Sequence, residues 1–212
     1  MMTRKTALAL IMGSSFFLGG TTVVVAADGA AISKEKCERC HGADGNSDND
    51  QIPNLAGFST TYFTGTMEDY KNGDRPGKPF KLGDDPETDM NVIATELKPE
   101  ELTALAKFFA GQTFKPHKQD VDPKLVKKGK KLYKRKKCKN CHTVNGGDPA
   151  DDAGILAGQW KPYLQSQFEQ FKNGTRTQPK KMKKRFDKIK MEDLPALVDF
   201  FASQTEVVKN SE

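Results

Sequence analysis

The sequence predicts an all-α protein built from two tandem copies of one domain. Three observations carry this. The pentad Cys37-Glu38-Arg39-Cys40-His41 returns as Cys138-Lys139-Asn140-Cys141-His142, 101 residues later. Residues around each pentad match at the same offset, and a repeat of this length takes precedence over the reading of single elements. Apolar residues recur at helical spacing, and no convincing alternation marks a strand.

Residues 1–27 read as a secretory signal. Arg4 and Lys5 precede an apolar run from Ala7 to Val25, and cleavage is expected after Ala26 or Ala27. An uncleaved anchor is the competing reading, because the run approaches the roughly 20 residues of a membrane span. Gly13-Ser14-Ser15 and Gly19-Gly20 interrupt it and favour cleavage. No other segment is apolar enough to span a membrane, so none is expected after cleavage.

The first copy, 28–112, then has room for only a short helix before its pentad. A helix is predicted over about Thr60 to Tyr70. Asp74 to Asp89, rich in Pro, Gly and Asp, predicts a surface loop. Pro99, Glu100 and Glu101 suit a helix start, and Leu102, Leu105, Ala106 and Phe109 form its apolar stripe. Residues 113–122, with Pro116, read as a linker able to run extended between domains. The second copy, 123–212, opens with a helix over Pro123 to Lys136, packed through Leu125, Gly129, Leu132 and Tyr133. A helix over about Pro162 to Phe171 follows. The last helix repeats the stripe with Leu194, Leu197, Val198 and Phe201, has Glu192 and Asp193 in its first turn, and tolerates Pro195 only near that start.

The repeat extends well beyond the pentads. Leu55-Ala56-Gly57 matches Leu156-Ala157-Gly158, Tyr62 matches Tyr163, and Lys71-Asn72-Gly73 matches Lys172-Asn173-Gly174. After that glycine the offset drops to 92, so Met90 matches Met182 and Phe108-Phe109-Ala110 matches Phe200-Phe201-Ala202. The first copy therefore carries nine extra residues within Asp74 to Asp89.

Cys-x-x-Cys-His is the attachment signature of c-type haem. Each thiol adds across a vinyl group, and the histidine coordinates iron from one side. Cys37, Cys40, Cys138 and Cys141 are thus expected to hold two covalent haem c groups, with His41 and His142 as ligands. A structural zinc would place its cysteine pairs about 15–20 residues apart and leaves the histidines unexplained; a thioredoxin-like motif needs a βαβ context. The repeat selects Met90 and Met182 as the opposite ligands, since Met67 aligns with Phe168 and Met191 with Pro99. Met67 and Met191 then read as core fillers, and His117 as an exposed linker histidine. The Pro53 carbonyl, or Gly154 in the second copy, is a candidate acceptor for the second nitrogen of the coordinating imidazole. Tyr62, Trp160 and Tyr163 either pack on haem and bond its propionates or are ordinary core aromatics.

The charge is divided sharply. Asp28 to Gln112 has 9 Lys and Arg against 16 Asp and Glu, a net of −7; Thr113 to Glu212 has 23 against 12, a net of +11. Export and the lack of a nucleic-acid motif argue against a nucleic-acid partner for the basic half. Steering toward a redox partner of opposite charge is the functional reading; a solvated surface is the plain one.

Tandem Cys-x-x-Cys-His domains, each with a downstream methionine and an aromatic-rich last helix, resemble dihaem cytochromes of the cytochrome c4 type. Leu156-Ala157-Gly158-Gln159-Trp160, Tyr163-Leu164, Lys181-Met182 and the junction Gln112 to Gln119 are similar to the cytochrome subunit of flavocytochrome c sulfide dehydrogenase. The resemblance implies two tandem class I cytochrome c domains and two six-coordinate His/Met haems in a periplasmic electron-transfer protein. In the sulfide dehydrogenase a flavoprotein subunit does the chemistry, and this chain has no flavin fingerprint of its own. The expectation is therefore the electron-accepting cytochrome subunit of such a complex, not an enzyme on its own. The alternative is a free-standing cytochrome c4-type carrier to a terminal oxidase. A dihaem peroxidase or thiosulfate dehydrogenase is a third reading, and it needs an open coordination position or a His/His haem that recruits His117.

Overall fold

The computed structural model describes residues 27–84 and 86–210. The expected signal segment lies, but for its last residue, outside the described residues. Among the described residues no helix is long and apolar enough to cross a membrane. Helices carry the fold, and among the described residues the one β feature is an isolated bridge between Phe80 and Thr88.

In the first copy α1 spans Gly29–Lys36, α2 Glu38–His41, α3 Thr60–Asn72, α4 Met90–Glu96 and α5 Pro99–Ala110. Side-chain caps explain most of the starts. Asp28 accepts from Ala30 N and Ala31 N, Ser59 from Tyr62 N, and Asp89 from Asn91 N and Val92 N, which satisfies donors a helix start leaves open. The second copy has α6 Pro123–Arg135, α7 Lys161–Asn173, α8 Lys180–Phe186 and α9 Leu194–Ala202. Gly73 and Gly174 close α3 and α7 in the left-handed conformation, φ 78° and 73°, where glycine avoids the Cβ penalty.

Each copy closes its core where its first helix crosses its last. Gly29 of α1 meets the Ala104 carbonyl of α5, and Gly129 of α6 meets the Ala196 carbonyl of α9. The backbones approach because neither glycine has a side chain. The predicted stripes are the buried faces: Leu105, Phe109, Leu197 and Phe201 are all buried.

Several expectations change. Glu192 and Asp193 lie in a 3-10 turn, Met191–Asp193, and α9 begins after it with Pro195 in its first turn. Met67 is buried as expected, but Met191 is 54% exposed on that turn and fills no core. The sequence reading missed α4 and α8; α8 is so rich in lysine that no apolar period shows.

The halves meet through uncharged groups and a few charged side chains, among them Arg75, which donates to Tyr163 and Gln167, and Asp152, which accepts from Ser59. Asn54 N donates to Gln159 Oε1 at 3.0 Å, and Gln159 Nε2 returns a bond to the Asn54 carbonyl at 3.1 Å. Trp160 Nε1 donates to the Ser47 carbonyl. Ala56, Phe58, Phe114 and Ile155 bury an apolar patch beside them. The linker is a strap rather than a loose tether: His117 stacks on Trp160 with centroids 3.6 Å apart, and its Nε2 bonds Asn54 Oδ1 at 2.9 Å. His117 is therefore a partly buried interface residue, not an exposed one.

Candidate haem sites

The first copy encloses a cavity of about 460 Å³. Cys37, Cys40 and His41 line it from the α1–α2 corner, and Met90 lines it from the first residue of α4. Residues 53 positions apart in sequence thus face one space. The corner follows from local bonding: His41 N reaches the Cys37 carbonyl at 2.9 Å, so both cysteines and the histidine ride on one helical turn. Asp89 fixes the other wall by capping α4 immediately before Met90. The rest of the lining is mainly apolar and includes Ile52, Phe63, Leu97 and Leu105.

The donor chemistry fits haem c. His41 Nδ1 bonds the Pro53 carbonyl at 2.9 Å, as expected. That bond fixes the tautomer and leaves Nε2 to coordinate. Burial lowers the His41 pKa, so the ring stays neutral, as a ligand must. Burial also pushes the Cys37 thiol up to about 12 and raises Cys40 and Cys138. A thiol–disulfide exchange site needs the reverse, a depressed thiol pKa. The pairs are also far from forming one zinc site: Cys37 belongs to the core of the first copy and Cys138 packs on that of the second.

The second copy repeats the arrangement with differences. Cys138 and Met182 both pack against one core cluster. Cys138 heads a 3-10 turn, Cys138–Asn140, and His142 N reaches the Cys138 carbonyl at 3.0 Å. Cys141 is exposed. His142 Nδ1 is buried without a partner among the described residues, so the Gly154 carbonyl does not replace that of Pro53. The reason is positional: Gly154 is turned, at φ 72°, against the ring of Tyr62 from the other half.

The aromatic residues divide between the two readings. Tyr163 lines the first cavity, whereas Trp160 serves the interface and Tyr62 packs edge-on against Phe58, centroids 5.0 Å apart. Sequence reasoning missed Arg75, which is buried and lines the cavity, and its counterpart Arg176. Both lie two residues after the glycine that ends the matched block, at the same offset of 101; extending the block would have found them.

Comparison with known proteins agrees with this geometry. The family model described as cytochrome c matches residues 26–112 and 126–205. Cytochrome c4 of Azotobacter vinelandii is 35% identical over 171 residues, covering 76% of this chain and 80% of that protein. Cytochrome c4 of Pseudomonas aeruginosa is 34% identical over 180 residues, covering 79% and 83%. The crystal structure of reduced recombinant cytochrome c4 from Pseudomonas stutzeri superposes with a TM-score of 0.67 at 29% identity, over 84% of this chain and all of that one. A thiosulfate dehydrogenase from Marichromatium purpuratum shares the fold at a TM-score of 0.65 and 22% identity, and the match spans 39% of that chain. Two pentads, two matched domains and these relatives lead to one assignment: the chain belongs to the cytochrome c4 family of dihaem cytochromes c and carries two covalently bound haem c groups.

Proposed function

We propose that the chain is a free-standing periplasmic one-electron carrier. In this reading domains 28–112 and 123–212, joined by 113–122, follow removal of the signal 1–27. Cys37, Cys40, His41 and Met90 hold one haem; Cys138, Cys141, His142 and Met182 hold the other. The observation that carries it is the single cavity on which the first four side chains converge. Bound haem supplies a ferric–ferrous couple. The chain's part is to exclude water, to present a neutral imidazole, and to offer a thioether that favours reduced iron over oxidised relative to a second histidine.

The cytochrome c4 relatives favour this carrier over the cytochrome subunit of a flavocytochrome c sulfide dehydrogenase, which none of them supports. The dihaem-enzyme reading loses its spare ligand, because His117 is engaged with Asn54 and Trp160. Mass and spectra of the periplasmic protein test the proposal. We expect a signal-free chain with two added haems and low-spin His/Met spectra. Met90→Ala and Met182→Ala should each abolish the thioether charge-transfer band of one haem only. A His/His or high-spin centre in the wild type would overturn it. Native pull-down with flavin detection separates the carrier from the flavoprotein complex: captured flavin would restore the complex.

A further inference from the structure

Matched positions beside the two haem sites carry opposite charge. At the offset of 101, Glu35 and Glu38 of the first pentad corner stand where Lys136 and Lys139 stand in the second. At the offset of 92, Asp89 and Glu96, on either side of Met90, stand where Lys181 and Lys188 flank Met182. Lys183, Lys184 and Arg185 add cations where the first copy has Asn91, Val92 and Ile93. Lys36 keeps its sign as Lys137, Arg39 becomes Asn140, and Asp187, the one acid gained, pairs with Lys183 at 2.9 Å. One scaffold thus presents its haem edge twice, once acidic and once basic.

In each copy the charges belong to one edge. Glu35 and Asp89 both border the first cavity. In the second copy Lys136 Nζ donates to the Lys188 carbonyl, which ties the pentad corner to the end of α8. Cys141, Lys139, Lys181 and Lys188 are exposed there, as are Glu35 and Glu96 on the acidic edge. Apart from a loose contact of Glu35 with Lys36 at 3.9 Å, none of the eight reversed residues has an ion pair among the described residues. Nor does the domain junction consume them, since Asn54, Gln159, Ser47 and Trp160 make it. Two basic edges repel, as do two acidic ones, while unlike edges attract. The favoured contact is therefore heterologous, head to tail, and leaves one free edge of each sign.

We infer that the basic haem edge of one molecule docks on the acidic haem edge of another, so that the partner these edges fit is a second copy of this chain. The inference rests on the carrier reading above. In the docked pair one electron leaves the ferrous iron of one molecule and reduces the ferric iron of the next; no bond forms or breaks and no proton moves. Exposed charge pairs are individually weak, so the contact is brief and sensitive to salt. Carriers with one sign of charge at both edges would slow such exchange by repulsion. Here the charge reversal favours it, and electrons hop between molecules without an intermediary.

Sedimentation velocity of the holoprotein tests this. At about 10 mM salt, where the Debye length is about 30 Å, the apparent mass should rise with concentration; near 1 M salt, where it is about 3 Å, the chain should run as a monomer. Broadening of haem methyl NMR signals in mixed ferric and ferrous protein reads electron exchange, which should slow by about tenfold or more over that salt range. Lys139→Glu, Lys181→Glu and Lys188→Glu together make both edges acidic; Glu35→Lys, Glu38→Lys and Glu96→Lys together make both basic. Each triple variant alone should lose the association, and an equimolar mixture of the two should regain it. Haem content and ligand spectra of the same samples separate the two readings: a missing haem would strike the carrier, while sedimentation still decides the docking. Wild-type protein that stays monomeric at low salt and millimolar concentration would overturn the inference, and the edges would then serve unlike partner proteins. Association that survives 1 M salt, or that both triple variants retain, would overturn it too, because another surface would carry the contact. Should one variant fail to fold, the wild-type salt dependence and the other variant decide.

Discussion

The two copies share a scaffold and differ in what surrounds the iron site. In the first, nine extra residues wall the cavity: Pro76, Phe80, Leu82 and Pro86 line it, and the Phe80–Thr88 bridge holds the insertion closed. In the second, the corresponding segment is short and runs directly into α8, Lys180–Phe186, with its run of lysines. His41 is anchored to Pro53, while His142 Nδ1 has no acceptor among the described residues. The first half carries −7 and the second +11. Helix order, the aspartate caps of α1 and α6 and the glycine ends of α3 and α7 are thus shared between the copies, while the other N-caps, cavity cover, imidazole support and surface charge differ. The junction combines amides and rings with a few charged groups: Arg75 and Asp152 bond uncharged partners across it, and Lys115 pairs with Asp44.

The largest difference should appear at the helix crossings. A Cβ on Gly129 would lie 1.9 Å from the Ala196 carbonyl oxygen and 2.5 Å from Phe200 Cβ; on Gly29 it would lie 2.3 Å from the Ala104 oxygen. Both obstacles are largely backbone, so α6 or α1 must withdraw. Overpacking of this kind costs about 1–3 kcal/mol, occasionally more. We expect Gly129→Ala to cost about 3 kcal/mol and Gly29→Ala about 2 kcal/mol. Denaturant titration of the holoprotein, followed through haem absorbance, measures both. A Gly29→Ala loss larger than that of Gly129→Ala would break the ranking.

The buried faces of the last helices were legible because repeat and period coincide in Leu105, Phe109, Leu197 and Phe201, and Gly129 falls on the packed face read for α6; Gly29 escaped, since at the offset of 101 it aligns with Lys130. Matching the copies likewise separates Met90 and Met182, the ligands proposed above, from Met67 and Met191. What escaped was the junction. Asn54 aligns with Ile155 and Gln159 with Phe58, so the reciprocal amide pair has no counterpart for a repeat to reveal. His117 looked exposed because a linker has no period, and only the fold brings Trp160 under its ring. Arg75 and Arg176 carry the composition of a surface; Arg75 is buried and Arg176 partly buried only where the two copies meet.

A middle-sized effect concerns charge at α8. Lys183, Lys184 and Arg185 are exposed on the helix that carries Met182. Replacing all three by glutamate should slow reduction by an anionic donor by about tenfold at low salt, the lower end of steering effects. The difference should vanish once the Debye length falls to about 3 Å, near 1 M salt. The control reverses the first copy, replacing Asp84 and Glu87 by lysine, and should accelerate the same donor slightly. Stopped-flow rates against ionic strength decide it. Rates of the α8 variant that match wild type at every salt concentration would remove the second copy's charge from the encounter.

The smallest effect is the acid limb of the second copy. Asp193 pairs with Lys128 at 2.6 Å, and that hydrogen bond holds its carboxyl below the usual range. A depressed folded pKa means the pair stabilises above the unfolded value, about 3.9, and the benefit is lost as pH falls through the lower folded value. At the equivalent place in the first copy, Glu101 accepts instead from the backbone N of Lys98, a local cap within α5 with no partner on α1. Asp193→Asn should therefore cost under about 1 kcal/mol at neutral pH, as surface pairs do, and should flatten the acid limb of the second copy alone. High salt should shrink the loss in the wild type, because the pair is screened. Acid titration of each haem's spectrum reads the two copies separately. If the first copy's acid limb also flattened in Asp193→Asn, the two domains would be unfolding as one unit through their amide junction, and the separateness assumed for each crossing would have to be given up.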